Sequence, residues 1–158
     1  MVKVAVLGFG TVGAGVADVL YMNALLMEKR LGQKIELKYV LDIRDFPDSP
    51  YAELVIHDFE TIVNDPEVSV VVETIGGAKI AYEYTKRALL AGKHVVTSNK
   101  ELVATKGVEL LQIAKEKNVN YLFEASVGGG IPVLRPIGQC LAANRIEEVY
   151  GILNGTTN

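Results

Sequence analysis

Residues 2–15, "VKVAVLGFGTVGAG", decide the fold. The run "VKVAVLG" has the β-branched composition of a strand, and it empties directly into Gly8, Gly10 and Gly13, spaced G-x-G-x-x-G. A helical pattern follows over residues 11–30, carrying Val12, Val16, Val19, Leu20 and Met27 toward one side. In that context Gly8 permits a tight turn, Gly10 lets the backbone approach a pyrophosphate, and Gly13 lets helix and strand pack closely. The helix N-terminus adds unpaired N–H groups and the positive end of the helix dipole, both suited to phosphate. Three glycines at this spacing are a weak signal by themselves. A strand before them and a helix after them make a dinucleotide-binding fingerprint.

Strand and helix patterns keep alternating downstream. "IELKYVLDI" predicts the second strand, "YAELVIHD" holds a short one, and Asp58 is placed to cap a small helix ending at Asp65-Pro66. "VSVVVET" is apolar on both faces, as a central parallel strand must be. A helix is expected from about Lys79 to Ala91, with Gly92 where a C-terminal cap glycine belongs. Strand "HVVTS", helical sequence to Lys117, strand "NYLFEAS", a helix starting near Pro132 and a last strand "EEVYGILN" complete the series. The expected fold is α/β, a Rossmann-type doubly wound parallel sheet with helices on both faces. "LNGTTN" ends the sequence just after a strand, with no element left to cover it, so the chain reads as cut rather than finished.

Composition narrows the functional classes. A net charge of -3 and a pI near 5.4 supply no basic field for nucleic acid or an anionic membrane. No apolar run approaches a membrane span of about 20 residues, and "MVKVAVLG" reaches glycine too early for a signal peptide. Cys140 is the single cysteine, which excludes an internal disulfide framework and fits a cytoplasmic protein. It lies in the apolar helical pattern "PIGQCLAAN" and reads as a packing residue. His57 and His94 have no cysteine or histidine partners at zinc spacing and read as structural.

Four places carry candidate chemistry. "YVLDIRD" ends the second strand with Asp42, which would accept hydrogen bonds from a free ribose 2′-hydroxyl, and Arg44, which would pair with a 2′-phosphate. With both present, NAD and NADP stay open. Asp42 lies 34 residues past Gly8, beyond the usual spacing of about 20, and the long first helix with its "EKRLGQK" loop explains the excess. Gly76 and Gly77 follow a central strand at the edge where α/β folds bind ligands, as a turn beside the cofactor or a plain turn. "HVVTSNK" runs a buried strand into Thr97, Ser98, Asn99 and Lys100. Lys100 could donate to a substrate carbonyl or shuttle a proton, and Asn99 could orient a substrate or an amide. "FEASVGGGIPVLRP" sets the Glu124 carboxylate beside three glycines. Their carbonyls could form an oxygen-only cation site, although chemistry alone favours a hinge.

Taken in order, "GFGTVGAGV", "VVVETIGG", "GKHVVTSNKELVA", "FEASVGGGIPVLRPI" and "GILNGTTN" closely resemble homoserine dehydrogenase. The match covers nearly the whole chain, and residues 44 to 66 carry little of it. The resemblance implies NAD(P)-dependent interconversion of L-homoserine and L-aspartate 4-semialdehyde, on the way to threonine and methionine, in an enzyme that is a homo-oligomer. It places Gly8, Phe9, Gly10, Thr11, Val12 and Gly13 in the cofactor turn, with Asp42 and Arg44 at the adenosine ribose. Thr74, Ile75, Gly76 and Ser98 would lie along the cofactor, and Lys100 beside the nicotinamide as the catalytic lysine. Glu124, with the carbonyls of Val127, Gly129 and Ile131, would hold a monovalent cation, usually sodium, and that replaces the hinge. Gly155 and Thr156 would begin the substrate contacts.

Residues 1–130 would then form the dinucleotide-binding domain and 131–158 the start of a substrate and dimerization domain. The family's acidic substrate-binding residues and second active-site lysine come after "NGTTN" and are absent, so this chain is expected to bind cofactor with little or no turnover. Two alternatives remain. A sugar- or polyol-type dehydrogenase would carry Glu-Lys-Pro where this chain has Ser-Asn-Lys-Glu, and a non-catalytic nucleotide sensor would leave Lys100 and the Glu124 segment without a role.

Overall fold

A computed structural model describes residues 1–151 of the chain. The strands are β1 (Val2–Leu7), β2 (Ile35–Leu41), β3 (Val55–Ile56), β4 (Val68–Glu73), β5 (His94–Thr97) and β6 (Tyr121–Leu122). They form one six-stranded sheet, every pairing parallel, in the order β3-β2-β1-β4-β5-β6. That is the doubly wound order, with the direction of winding reversing between β1 and β4. The helices are α1 (Thr11–Met22), α2 (Ala24–Leu31), α3 (Phe59–Val63), α4 (Lys79–Leu90), α5 (Lys100–Glu116), α6 (Glu124–Gly128) and α7 (Leu134–Cys140). Phe59 and Ile62 of α3, Ala81, Ala88 and Leu89 of α4, and Leu102, Leu110 and Ala114 of α5 pack with Ala5, Leu7, Leu41 and Val71. Ala17 of α1 packs with Phe9 and Val40 in a second cluster. Among the described residues no helix is long and apolar enough to cross a membrane.

One register row sets the geometry of everything that follows. Leu7 lies opposite Leu41 and Glu73, Leu41 opposite Ile56, and Glu73 opposite Thr97. The residues immediately after this row are His57, Asp42, Gly8, Thr74 and Ser98. Five strands of two to seven residues therefore deliver those five positions to one edge of the sheet, the carboxyl edge.

Several local expectations hold for physical reasons. Asp58 accepts from the Glu60 N–H at 2.9 Å and starts α3. Gly92, at φ 78°, ends α4 in the left-handed conformation that suits glycine. Elsewhere the structure differs from the sequence reading. The expected helix over 11–30 is two helices broken at Asn23, whose side chain competes poorly for a helix interior; Gly32, at φ 70°, closes α2. "NYLFEAS" is a strand only at Tyr121–Leu122, because β5 turns away after Thr97 and leaves no edge to pair, and Glu124–Gly128 winds into α6. Cys140 is exposed at the end of α7 rather than packed. Over Glu147–Gly151 there is no strand, and the rest of the expected last strand lies outside the described residues.

Candidate dinucleotide site

The glycine turn is closed by contacts that exclude side chains. Gly8 sits at φ +89°, and a Cβ there would lie 2.9 Å from the Thr74 carbonyl oxygen. A Cβ on Gly13 would lie 1.9 Å from the Gly8 carbonyl oxygen and 2.9 Å from Thr74 Oγ1. Thr74 Oγ1 is placed to donate to the carbonyls of Leu7 (3.0 Å) and Gly8 (2.9 Å), tying the turn to the end of β4. Gly10 differs, for nothing lies within 4 Å of the position its Cβ would take. Gly10 is also the N-cap of α1, and no side chain caps that helix, whereas Asp58 caps α3 and Asn99 caps α5. The first-turn N–H groups of α1 are thus left for a ligand.

Asp42 and Arg44 meet beside this turn. Asp42 Oδ2 accepts from the Phe9 N–H at 2.7 Å, and the Arg44 guanidinium reaches both Asp42 oxygens at 3.0 Å. The guanidinium is the main reason the Asp42 carboxyl is held down to about 2, with the Phe9 and Arg44 N–H groups adding to it against burial. Arg44 also stands over the Phe46 ring, 5.0 Å from its centre. His57 donates from Nδ1 to the Asp42 carbonyl (2.7 Å), and its Nε2 faces Asp45 Oδ1 at 3.1 Å. Both partners accept only, so the ring is fully satisfied as an imidazolium, and the bond to the Asp42 carbonyl leads in raising its pKa.

These groups line a cleft of about 380 Å³ bounded by Gly8, Gly10, Leu41, Asp42, Ile43, Arg44, His57, Thr74, Ile75, Gly76, Ile80 and Tyr84. The cleft opens at the β1/β4 switch point, where doubly wound sheets take their ligands. A larger cleft of about 600 Å³ lies between α1, the start of β2 and Tyr51, away from the glycine turn.

The structure thus brings Gly8, Gly10, Asp42, Arg44, Thr74, Ile75 and Gly76 to one cavity. Thr11 and Val12 are exposed on the first turn of α1, and Gly13 is buried beneath it. Phe9 contributes its N–H, while its ring turns into the core edge-on to Phe46 and Tyr51. Ser98 and the exposed Lys100 stand past the cleft, after β5, with Lys100 opening α5.

Asn99, expected to orient a ligand, is engaged inside the protein. Its Oδ1 accepts from the Leu102 N–H, and its Nδ2 donates to the carbonyls of Ile75 (3.1 Å) and Gly77 (2.7 Å). Glu124 accepts from the N–H groups of Val133, Leu134 and Arg135, the Val133 contact chiefly lowering its pKa. Val127 lies in α6, and Gly129 and Ile131 just beyond it. Among the described residues no three His, Cys, Asp or Glu side chains cluster as for a metal. Gly155 and Thr156 lie outside the described residues.

Sequence reasoning passed over His57, Ile80 and Tyr84, for which it holds no signal before the sheet is assembled. It also passed over Glu73, for which it holds one: a lone carboxylate ending a strand apolar on both faces.

Residues 8–124 match the family described as homoserine dehydrogenase, NAD binding domain. The chain is 45% identical to homoserine dehydrogenase of Pseudomonas aeruginosa and 41% identical to that of Bacillus subtilis, in each case over 99% of this chain. It spans 36% and 37% of their lengths, little more than a third. A crystal structure of a homoserine dehydrogenase from Thiobacillus denitrificans superposes with a TM-score of 0.84 at 40% identity, over 92% of this chain and 34% of that one. A hyperthermophilic archaeal homoserine dehydrogenase in complex with NADPH superposes at 0.69 and 25% identity, over 86% and 47% of the two chains. The chain belongs to the homoserine dehydrogenase family and carries that family's NAD-binding domain.

Proposed function

We propose that this chain holds NADPH or NADH for the interconversion of L-homoserine and L-aspartate 4-semialdehyde, in threonine and methionine biosynthesis. The observation that carries the reading is the cleft at the switch point, where an uncapped helix N-terminus, the glycine turn and the Asp42–Arg44 pair converge. The residues fit a dinucleotide. Open space over Gly10 and the free N–H groups of α1 suit the pyrophosphate, and Asp42 and Arg44 stand where the adenosine ribose would lie. Arg44 can swing from Asp42 to a 2′-phosphate, and an imidazolium at His57 would add to that attraction, so NADPH is the preferred form.

The nicotinamide, when bound, supplies or accepts the hydride. Thr74, Ile75, Gly76 and Ser98 would lie along the cofactor, and Lys100 would donate from Nζ to the substrate oxygen and handle its proton. Sodium would be held by Glu124 and the carbonyls of Val127, Gly129 and Ile131, with Glu124 exchanging backbone donors for the ion. Residues 1–130 form the cofactor domain; 131–158, with Gly155 and Thr156, begin the substrate domain of a cytoplasmic homo-oligomer. Alone, the chain binds cofactor with little or no turnover.

Titration with NADPH and NADH, followed by nicotinamide fluorescence, tests this. NADPH should bind more tightly, and Arg44→Ala should remove at least about tenfold of that preference, the worth of one charge-assisted contact. Absence of saturable binding for both nucleotides would refute the reading.

A further inference from the structure

Glu73 ends β4 with its side chain sealed from solvent, in the register row beneath the cleft. A buried charge of this kind is costly unless hydrogen-bonded on all sides. Its oxygens receive donors from the β4–α4 turn and from the last residue of β5. Oε1 accepts from the Ile75 N–H at 2.6 Å, and Oε2 accepts from the Thr97 hydroxyl at 2.5 Å. Thr97 Oγ1 accepts in turn from the Asn99 N–H at 2.9 Å, and Asn99 Nδ2 returns to the Ile75 and Gly77 carbonyls. The circuit closes on itself: Glu73, Thr97, Asn99, Ile75 and back to Glu73.

Burial raises the Glu73 pKa while the Thr97, Ile75 and Asn99 contacts pull it down, so the site opposes the very charge its donors are arranged to receive. Packing alone would be served by an apolar residue at this position. The neighbouring residue makes a matching clasp on the other side, since Thr74 ties the glycine turn to β4. One dipeptide therefore joins the pyrophosphate turn to the turn that carries Ser98 and Lys100.

We propose that Glu73 is a positioning residue for the nicotinamide half of the site: its buried carboxylate locks the β4–α4 and β5–α5 turns together and so sets where Ser98 and Lys100 stand. This rests on the cofactor reading above, and it makes the two halves of the cleft separable. Gly8, Gly10, Asp42 and Arg44, which serve the adenosine half, lie outside the circuit. A change at Glu73 should disturb NADPH and spare a ligand that ends at the adenosine ribose phosphate.

The test is binding of NADPH and of 2′,5′-ADP to the 158-residue chain, wild type and Glu73→Gln. The amide keeps the shape but presents N–H₂ to one of two donors. NADPH should weaken about tenfold, the loss of one charge-assisted hydrogen bond, with 2′,5′-ADP unchanged. Unchanged NADPH binding would overturn the proposal, and so would an equal loss of both ligands, which marks general loosening. Should wild type bind neither ligand, the cofactor reading falls and the proposal with it. If Glu73→Gln does not fold, Thr97→Val breaks the circuit at the other end of the same bond. The same split is expected there, with Thr97→Ser recovering most of the loss. Equal losses, or none, in Thr97→Val would refute the positioning role.

Discussion

Replacing Gly13 with alanine should separate the packing role of the turn from its binding role. The new Cβ would stand 1.9 Å from the Gly8 carbonyl oxygen, where ordinary contact begins at 3.4 Å. Relief needs the turn and α1 to part by about 1.5 Å, and both sides of the contact are backbone. Overpacking costs about 1–3 kcal/mol, and an unyielding backbone contact belongs near the top of that range. Alanine returns about 1 kcal/mol of helix propensity, leaving a net loss of about 2 kcal/mol. Gly15, two residues on in the same helix, has nothing within 4 Å of its Cβ position. Gly15→Ala should therefore gain up to about 1 kcal/mol, setting the two alanine variants about 3 kcal/mol apart. Urea unfolding followed by circular dichroism reads the difference as a shift in midpoint at constant slope. Gly10→Ala completes the series: a loss of at most about 1 kcal/mol from the N-cap, but weaker NADPH binding, because its Cβ would enter the space kept for phosphate. A Gly13→Ala protein as stable as Gly15→Ala would refute the close-contact reasoning.

Other perturbations have equally definite signs. Asn99→Ala removes the cap of α5 and two ties to the β4–α4 turn, and should cost about 1–2 kcal/mol in urea unfolding. Lys93 is buried, its Nζ donating to the Asp65 and Val68 carbonyls. It precedes β5 at the edge opposite the cleft, so Lys93→Met should cost about 1–3 kcal/mol by orphaning those carbonyls and leave NADPH affinity unchanged. Asp42 and Asp65 are both held down to about 2, chiefly by Arg44 and Lys38 respectively. Depressed carboxyl values give stability that is full above the unfolded range near 4 and lost as pH falls toward about 2. Thermal unfolding should weaken across that window, and Asp65→Asn should flatten the slope.

Much of the fold was legible because strand composition and turn chemistry are local. The glycine turn, the caps Asp58 and Gly92 and the apolar β4 are read residue by residue, and all lie where expected. β6 failed because its length depends on a partner: Phe123 already faces Thr97, the last residue of β5, and Glu124 onward could pair only if β5 continued past Thr97. The break at Asn23 was missed because one weak helix former inside a long amphipathic pattern gives little signal of its own. In the site, Gly8, Asp42 and Thr74 follow from the rule that ligands meet strand ends. Asn99 was misassigned because its polar side chain serves the protein's own backbone, a competition invisible until the β4–α4 turn is beside it. His57 gains meaning only from the row that sets it next to Asp42.

The most direct measurement is a map of backbone amide shifts when NADPH is added to the isotope-labelled chain. Shifts should concentrate at Gly8–Gly13, Asp42–Arg44 and Thr74–Gly77, with a second set at Ser98–Lys100 from the nicotinamide end. Shifts confined to the larger cleft, around Ala17, Tyr21 and Tyr51, or no shifts at saturating nucleotide, would contradict a dinucleotide site at the switch point.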